Sequence, residues 1–435
     1  MSSKEPLLGA KSNIFALASL YALYVSALLS TYIVQLAEAH KDKGWRPLDM
    51  SAESWLGMAI GLAFCIWTFS RMDGRPSDFF RFFLCALPLT SFILLHSGSE
   101  SLPRGAVLAC ILMLIAPLIL MEIFNGVFPP LTSPKRSNPV AIEWMVSLPL
   151  VFAILIGFLS APENAGFGLN NSHIRRFEGR ELYAAGSLQA YVLSMSMNGF
   201  IPYLAFLSAL KKNVWLLGLA ILAGIFFFWL IGVKAPLAYL IVAHILGWLL
   251  RWKMLNKVAH IFLSAIVVLW MIVLLEWWLK GYSYTADYLF RRLFPVQAFQ
   301  QGYYLDFLLS EKLISWSWLT GASDPNFQAS FYIGERYDGG VKTNSNTNAF
   351  LSAFMSAGVV GYAGAAIFIS SILVVFDRLW RSSRNPSYLF LGFLYGILVI
   401  EQAYTVAMVS SGVGLLFMLV FFEKPVTHDN SSYVN

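Results

Sequence analysis

The sequence predicts an all-α polytopic integral membrane protein of about 12 transmembrane helices, with one long, partly helical loop on the outer side. Three observations carry that class. The 435 residues are 58% hydrophobic and 16% aromatic, with a mean hydropathy of +0.65, outside the range of soluble globular proteins. The apolar residues gather in runs long enough for a hydrocarbon core roughly 30 Å thick, which takes about 20 residues per helix. No stretch alternates with the period of two that an outer-membrane barrel requires.

In chain order the runs fall at approximately 13–35, 55–70, 80–97, 105–124, 142–160, 186–208, 214–232, 235–250, 258–279, 349–376, 388–406 and 408–422. The first follows MSSKEPLLGAKSN, which offers no cleavage site, so it reads as an anchor and not as a removed signal peptide. Lysine and arginine in the connections set the orientation. With the N-terminus inside, the cytoplasmic segments hold sixteen of the 30 basic residues and the short outside loops eight, which puts both termini in the cytoplasm. The whole of 1–435 reads as a single membrane domain, and its net charge of +6 follows from this rule without calling for nucleic acid.

Cys65, Cys85 and Cys110 all fall inside predicted helices, where they act as small apolar residues and supply no disulfide framework or metal site. No GxxxxGK[ST], GxGxxG or HExxH pattern occurs, so ATP-driven transport and zinc hydrolysis have no support.

Two outside loops exceed what a connection needs. The shorter, 161–185, holds most of NNSHIRRFEGRELYAAGS, where Arg175, Arg176, Glu178, Arg180 and Glu181 fall within seven residues of a chain only 12% charged. The longer, 280–347, is the one extramembrane piece large enough for structure of its own, and it is expected to carry part of the active site. Its runs YTADYLFRRLF and AFQQGYYLDFLLSEKL space apolar residues as helices lying on the membrane surface, while Gly321, Pro325, Gly339 and Gly340 mark turns. Positive charge outside opposes the topology rule. These arginines therefore need an anionic partner: a substrate phosphate, a lipid phosphate, or for Arg175 the neighbouring Glu178 and Glu181.

Each loop carries one Arg-x10-Gly spacing, Arg175 with Gly186 and Arg291 with Gly302. Together with the topology, which extends the likeness over the whole chain, this resembles the O-antigen polymerase (Wzy) family, whose members carry an R-x10-G type motif in each of two periplasmic loops. In that family the arginines are needed for polymerisation. GVKAPLA is similar to the periplasmic helix turn at which the related O-antigen ligases and many polymerases place a basic residue. Here it is Lys234, a point charge in place of a bidentate fork. SNTNAFLSAFMSAGVVGYAG looks like the segment where these families set a polar motif ahead of a Gly-rich helix. Asn348 takes the asparagine position, but Thr347 stands where the ligases have histidine, so no histidine base is carried over there.

The resemblance implies a membrane glycosyltransferase of lipopolysaccharide or related polysaccharide biosynthesis, in the bacterial inner membrane with a periplasmic active site. It implies undecaprenyl-pyrophosphate-linked glycans as substrates, membrane lipid around them, flippase and chain-length regulator proteins as partners, and no cofactor. An O-antigen ligase and a lipid-linked oligosaccharide flippase or transporter are the alternatives. Such a transfer develops negative charge on a departing diphosphate, which planar guanidinium forks stabilise well. Arg175 and Arg291 are thus the catalytic cations, and Lys234, Arg176, Arg180, Arg292 and Arg336 are further contacts to substrate. Tyr303, with Tyr304, Trp316, Trp318, Tyr332 and Tyr337, offers flat faces to sugars.

A base for the acceptor hydroxyl wants a carboxylate or histidine near the phosphate. Glu335 and Asp338, flanking Arg336 in GERYDGG, rank ahead of His173. No clustered ligand set points to a metal. Asn198, His244, Glu401 and Gln402 fall inside predicted spans. Glu401, in VIEQAYTVAM, reads as an intramembrane carboxylate and is the feature that best suits a proton-coupled transporter.

Overall fold

The computed structural model describes residues 14–45, 47–48, 51–97, 102–131, 142–168, 172–183, 186–311, 329–338 and 344–422, in which all regular structure is helical. The helices are α1 (Ile14–Ala39), α2 (Ala52–Ser70), α3 (Pro76–His96), α4 (Arg104–Val127), α5 (Ile142–Leu159), α6 (Ser172–Leu182), α7 (Leu188–Lys211) and α8 (Val214–Ile231). They continue with α9 (Ala235–Arg251), α10 (Val258–Lys280), α11 (Pro295–Glu311), α12 (Ala329–Asp338), α13 (Ala349–Ser383), α14 (Pro386–Val399) and α15 (Val413–Phe421).

Each of the twelve apolar runs contains helix, with breaks at 400–403 in the eleventh and 411–412 in the twelfth. Among the described residues eight helices, α1, α3, α4, α5, α7, α8, α10 and α13, are long and apolar enough to cross a membrane, and Ser54–Ser70, α9 and α14 are shorter apolar helices. The chain divides into two compact units. The first comprises Met1–Phe128, Asn256–Val374 and Gly396–Tyr404, and the second Pro129–Leu255, Val375–Tyr395 and Thr405–Asn435.

In the first unit α3 is the central element, with its apolar stretch wholly buried. Pro88 lacks the N–H that a regular α-helix would use, and the helix widens into a π-turn over Cys85–Leu89. From α1, Tyr21 hydrogen-bonds Thr90 and Tyr24 donates to the Ala86 carbonyl, which seats α1 on this irregular stretch. Cys65, Cys85 and Cys110 are all buried, with free thiols.

The helical spacing read at AFQQGYYLDFLLSEKL is realised as α11 up to Glu311, and one face of that helix packs against protein. Phe294, Ala298, Tyr304 and Phe307 are buried, and His96 of α3 donates from Nε2 to the Ala298 carbonyl at 2.9 Å. A Cβ on Gly302 would lie 2.6 Å from the His96 ring, so the glycine of the second Arg-x10-Gly spacing is what lets α11 approach α3. The apolar stripe that suggested a lipid interface is covered by protein.

α13 is one helix by sequence and two by geometry. Ala357 (φ −146°, ψ 22°) and Gly358 (φ 57°, ψ −147°) interrupt it. The short half, 349–356, begins at Asn348, whose Oδ1 accepts the N–H groups of Phe350 and Leu351 as an N-cap.

In the second unit α9 crosses α7 closely, because a Cβ on Gly247 would meet the Phe206 carbonyl oxygen at 2.5 Å. The turn from α8 to α9 passes through Gly232 at φ +68°, with the Ser172 carbonyl oxygen 2.5 Å from where a Cβ would stand. Both the backbone conformation and the space therefore require glycine there. Gly179 seats α6 against α8 in the same way, its added Cβ falling 2.8 Å from Ile231.

Candidate functional site

The predicted site residues fall into both units. In the second unit, the stretch SHIRRFEGREL forms α6. The loop before it folds over the helix and is pinned by the Gly166 N–H to the Trp229 carbonyl at 2.9 Å. Beneath that loop Arg175 is 1% exposed, the largest fully buried side chain of the described residues. Its Nη1 donates to the Gly168 carbonyl at 2.9 Å, and its guanidinium carbon lies 5.5 Å from the centroid of the Phe228 ring. Nε and Nη2 have no hydrogen-bond partner among the described residues.

The adjacent carboxylate does not neutralise Arg175. Glu178, one of the two carboxylates weighed from sequence, accepts a hydrogen bond from Asn164 instead. A buried guanidinium held by one carbonyl and one ring face is an expensive group to keep, and its two buried, unpartnered N–H groups are of the kind that pair with a planar anion. Arg176, one residue on, lines a cavity of about 380 Å³ whose walls are mainly apolar, among them Leu193, Met197, Ile231 and Val233. Lys234 follows Val233 directly and is exposed, with no partner for its ammonium among the described residues. The other glycine of the spacing, Gly186, has φ +88° at the turn into α7, where Ser187 caps the helix. The side chains of His173 and Arg180 lie outside the described residues.

In the first unit the two arginines of YLFRRLF part company. Arg291 donates from Nε to the Asp287 carbonyl at 2.8 Å and lies 3.1 Å from its Oδ1, and that oxygen also takes His40 Nε2 at 2.7 Å. Arg291 is thus already tied to a carboxylate. Partial burial works to raise the Asp287 carboxyl, but the His40 hydrogen bond and the Arg291 charge outweigh it and hold the group below its ordinary value. A carboxyl depressed in the folded state adds stability that is complete above its unfolded pKa of about 3.9 and is lost as pH falls through its folded pKa. Thermal unfolding followed from pH 6 to pH 3 should therefore show an acid-side loss for the wild type that is smaller in Asp287→Asn; parallel profiles would contradict it.

Arg292 is exposed and turns to a different neighbourhood. It lines a cavity of about 200 Å³ with Gln297, Gln300 and Gln301 from α11, the segment Asn346–Asn348 ahead of α13, and Glu401. That last segment is fixed by Tyr304, whose hydroxyl donates to the Ser345 carbonyl at 2.9 Å, and by the Ser345 N–H to Ser330. Glu401 was expected inside a span. In fact α14 ends at Val399, and Glu401 stands exposed in the turn that follows, so its carboxylate belongs to this polar cavity and not to a helix interior.

The other candidates are engaged elsewhere. Tyr303 stacks on Tyr337 with ring centroids 4.8 Å apart, and Tyr337 donates to Asp306 at 2.7 Å, so the expected sugar platform is partly covered by its own neighbour. Arg336 lies 5.5 Å from the Tyr337 ring. Glu335 is exposed on α12 and is not among the residues lining the cavity. The side chain of Asp338 and the residues Trp316 and Trp318 lie outside the described residues. Sequence reasoning missed the glutamines, because glutamine on an amphipathic helix carries no signature, and misplaced Glu401. The signal available for the latter was the adjacent pair Glu401–Gln402, two polar residues that end an apolar run more readily than they cross it.

No family model, no curated protein and no solved structure matches this chain.

Proposed function

We propose that the protein is a polymerase of undecaprenyl-pyrophosphate-linked oligosaccharide repeat units, working from the bacterial inner membrane at its periplasmic face. The observation that carries this reading is Arg175, which among the described residues is a buried guanidinium with no carboxylate partner and two unpartnered donors, alongside eight helices suited to crossing a membrane. A departing diphosphate is the anion such a group would serve. In the reaction, a sugar hydroxyl oxygen of the incoming repeat bonds to the anomeric carbon of the growing glycan. The bond from that carbon to the diphosphate breaks with its electron pair leaving on the diphosphate, and the hydroxyl proton passes to a carboxylate. Arg176 beside a largely apolar cavity, and exposed Lys234, suit the same kind of ligand, with an anionic head and an apolar tail. In the first unit Arg291 already has Asp287, so it is the weaker candidate for a substrate contact.

The test is to restore the gene to a strain that lacks it and to examine its surface polysaccharide on a gel. Return of a long-chain ladder from a background of single-repeat product is the expected result. Recovery of the single-repeat product itself would point to a flippase. Polymer left unattached on its lipid carrier in the deletion strain would point to a ligase.

A further inference from the structure

We infer that the cavity between α11, the segment Asn346–Asn348 and Glu401 is a binding site for one neutral sugar ring, with the Glu401 carboxylate turned to one of its hydroxyls. The partnering of the walls comes first. Asn348 is 1% exposed and spends its Oδ1 on two backbone N–H groups, which fixes the amide so that Nδ2 is left over, and Nδ2 has no partner among the described residues. Thr347 is 6% exposed, and its Oγ1 is likewise unpartnered, as is Oε1 of Gln297. Buried polar atoms are nearly always hydrogen-bonded. Three unpartnered ones on the wall of one cavity mark a place where a polar ligand supplies the missing bonds.

The chemistry of the walls then selects the ligand. The lining has three glutamines, two asparagines and a threonine, groups that both donate and accept, as a sugar hydroxyl does. The charged members are Arg292 and Glu401, which cancel. A phosphate or pyrophosphate would call for a net positive wall, and a cation for a net negative one; a neutral polyol suits this one. A volume of about 200 Å³ holds a single ring and not an oligosaccharide.

The assignment of a sugar does not depend on the polymerase reading, whereas the role of Glu401 in transfer rests on it. In that reading Glu401 receives the proton of the acceptor hydroxyl that this cavity holds.

The experiment uses the full-length protein in nanodiscs, with methyl glycosides of hexoses and N-acetylhexosamines offered singly at millimolar concentration and followed by saturation-transfer NMR. Pyrophosphate is the contrasting probe. At least one glycoside should receive saturation that pyrophosphate does not abolish. Thr347→Val, which removes an unpartnered hydroxyl at nearly constant shape, should weaken that binding about tenfold while leaving the ligand-free protein as stable as wild type or more so. Gln297→Leu reads the same loss from the opposite wall. Glu401→Gln should still bind the glycoside but give no ladder in cells. Absence of saturation for every glycoside, displacement by pyrophosphate, or unchanged binding in both Thr347→Val and Gln297→Leu would overturn the site. If glycosides bind but the wild-type gene restores no polymer, the polymerase reading fails and the sugar site stands.

Discussion

Arg175→Met should make no long-chain polysaccharide while melting at or above the temperature of the wild type. The two halves of this expectation have one cause. Taking a guanidinium out of water costs several kcal/mol even after relaxation. Against that, Arg175 has one hydrogen bond, to Gly168, in the range of about 1.5–3 kcal/mol for a charged donor, and a ring face that adds about 1–2 kcal/mol. Methionine keeps the unbranched shape and removes the charge. It leaves the Gly168 carbonyl short of a partner, at about 1–3 kcal/mol, so the exchange comes out near zero or in favour of the variant. If the residue served only the fold, its loss would lower the melting temperature and polymer would fail along with protein level.

Function reads the opposite way. Losing a preorganised donor to a departing oxyanion costs about 100- to 1,000-fold in rate, which would erase a ladder that needs many successive transfers. Arg175→Lys keeps the charge but not the fork, and should restore short chains at most. Melting temperature in detergent and the polysaccharide gel, read on the same cells, decide the matter. A stable Arg175→Met with a full ladder would remove this residue from the chemistry.

The helices were legible because hydropathy is a local property. Most of each of the twelve apolar runs is helical, but α13 continues through Asp377, Arg378 and Arg381 to Ser383, and the last run breaks at Ser411 and Gly412. The ends show the limit. The run read as 388–406 stops at Val399, because the adjacent polar residues Glu401 and Gln402 leave the helix for a turn, which a window average over the apolar residues around them hides. The same holds for α11. Its periodicity was visible, but whether the apolar stripe meets lipid or protein depends on His96 and α3, about two hundred residues earlier in the chain.

The site was legible as an anomaly of charge and not as an arrangement. Five charges within seven residues draw attention to Arg175, yet its two neighbours in sequence give no hint that it is buried while Arg176 lines a cavity. Likewise Arg291 and Arg292 are indistinguishable in YLFRRLF. Helix geometry separates them: Asp287 lies four residues before Arg291 and so one turn away on the same face, which takes that arginine and leaves the next for the cavity.

Gly361→Ala should be the most disruptive single-methyl change in the first unit. At the break in α13 the two halves fold back so closely that a Cβ on Gly361 would stand 2.3 Å from the Ala353 carbonyl oxygen and 2.5 Å from the Ala357 Cβ. None of these atoms can rotate away, so the methyl must push the halves apart. Gly358 holds the break in a backbone region that is nearly exclusive to glycine, worth about 1–3 kcal/mol by itself, and opening the halves would set that conformation against the clash. The displaced half runs from the Asn348 cap, on the wall of the polar cavity, to Met355, which is buried among Tyr304, Phe307 and Ile333. Both the aromatic cluster and the cavity wall should therefore loosen together, lowering the melting temperature and abolishing the ladder. Gly364→Ala is the control on the same helix, since a Cβ there meets nothing within 4 Å. In a helix interior alanine is favoured over glycine by roughly 0.5–1 kcal/mol, so this variant should be as stable as wild type or more so and keep its ladder. Equal melting temperatures for the two alanine variants would mean that the break in α13 yields freely, and that Gly361 is not what holds the short half against the cavity.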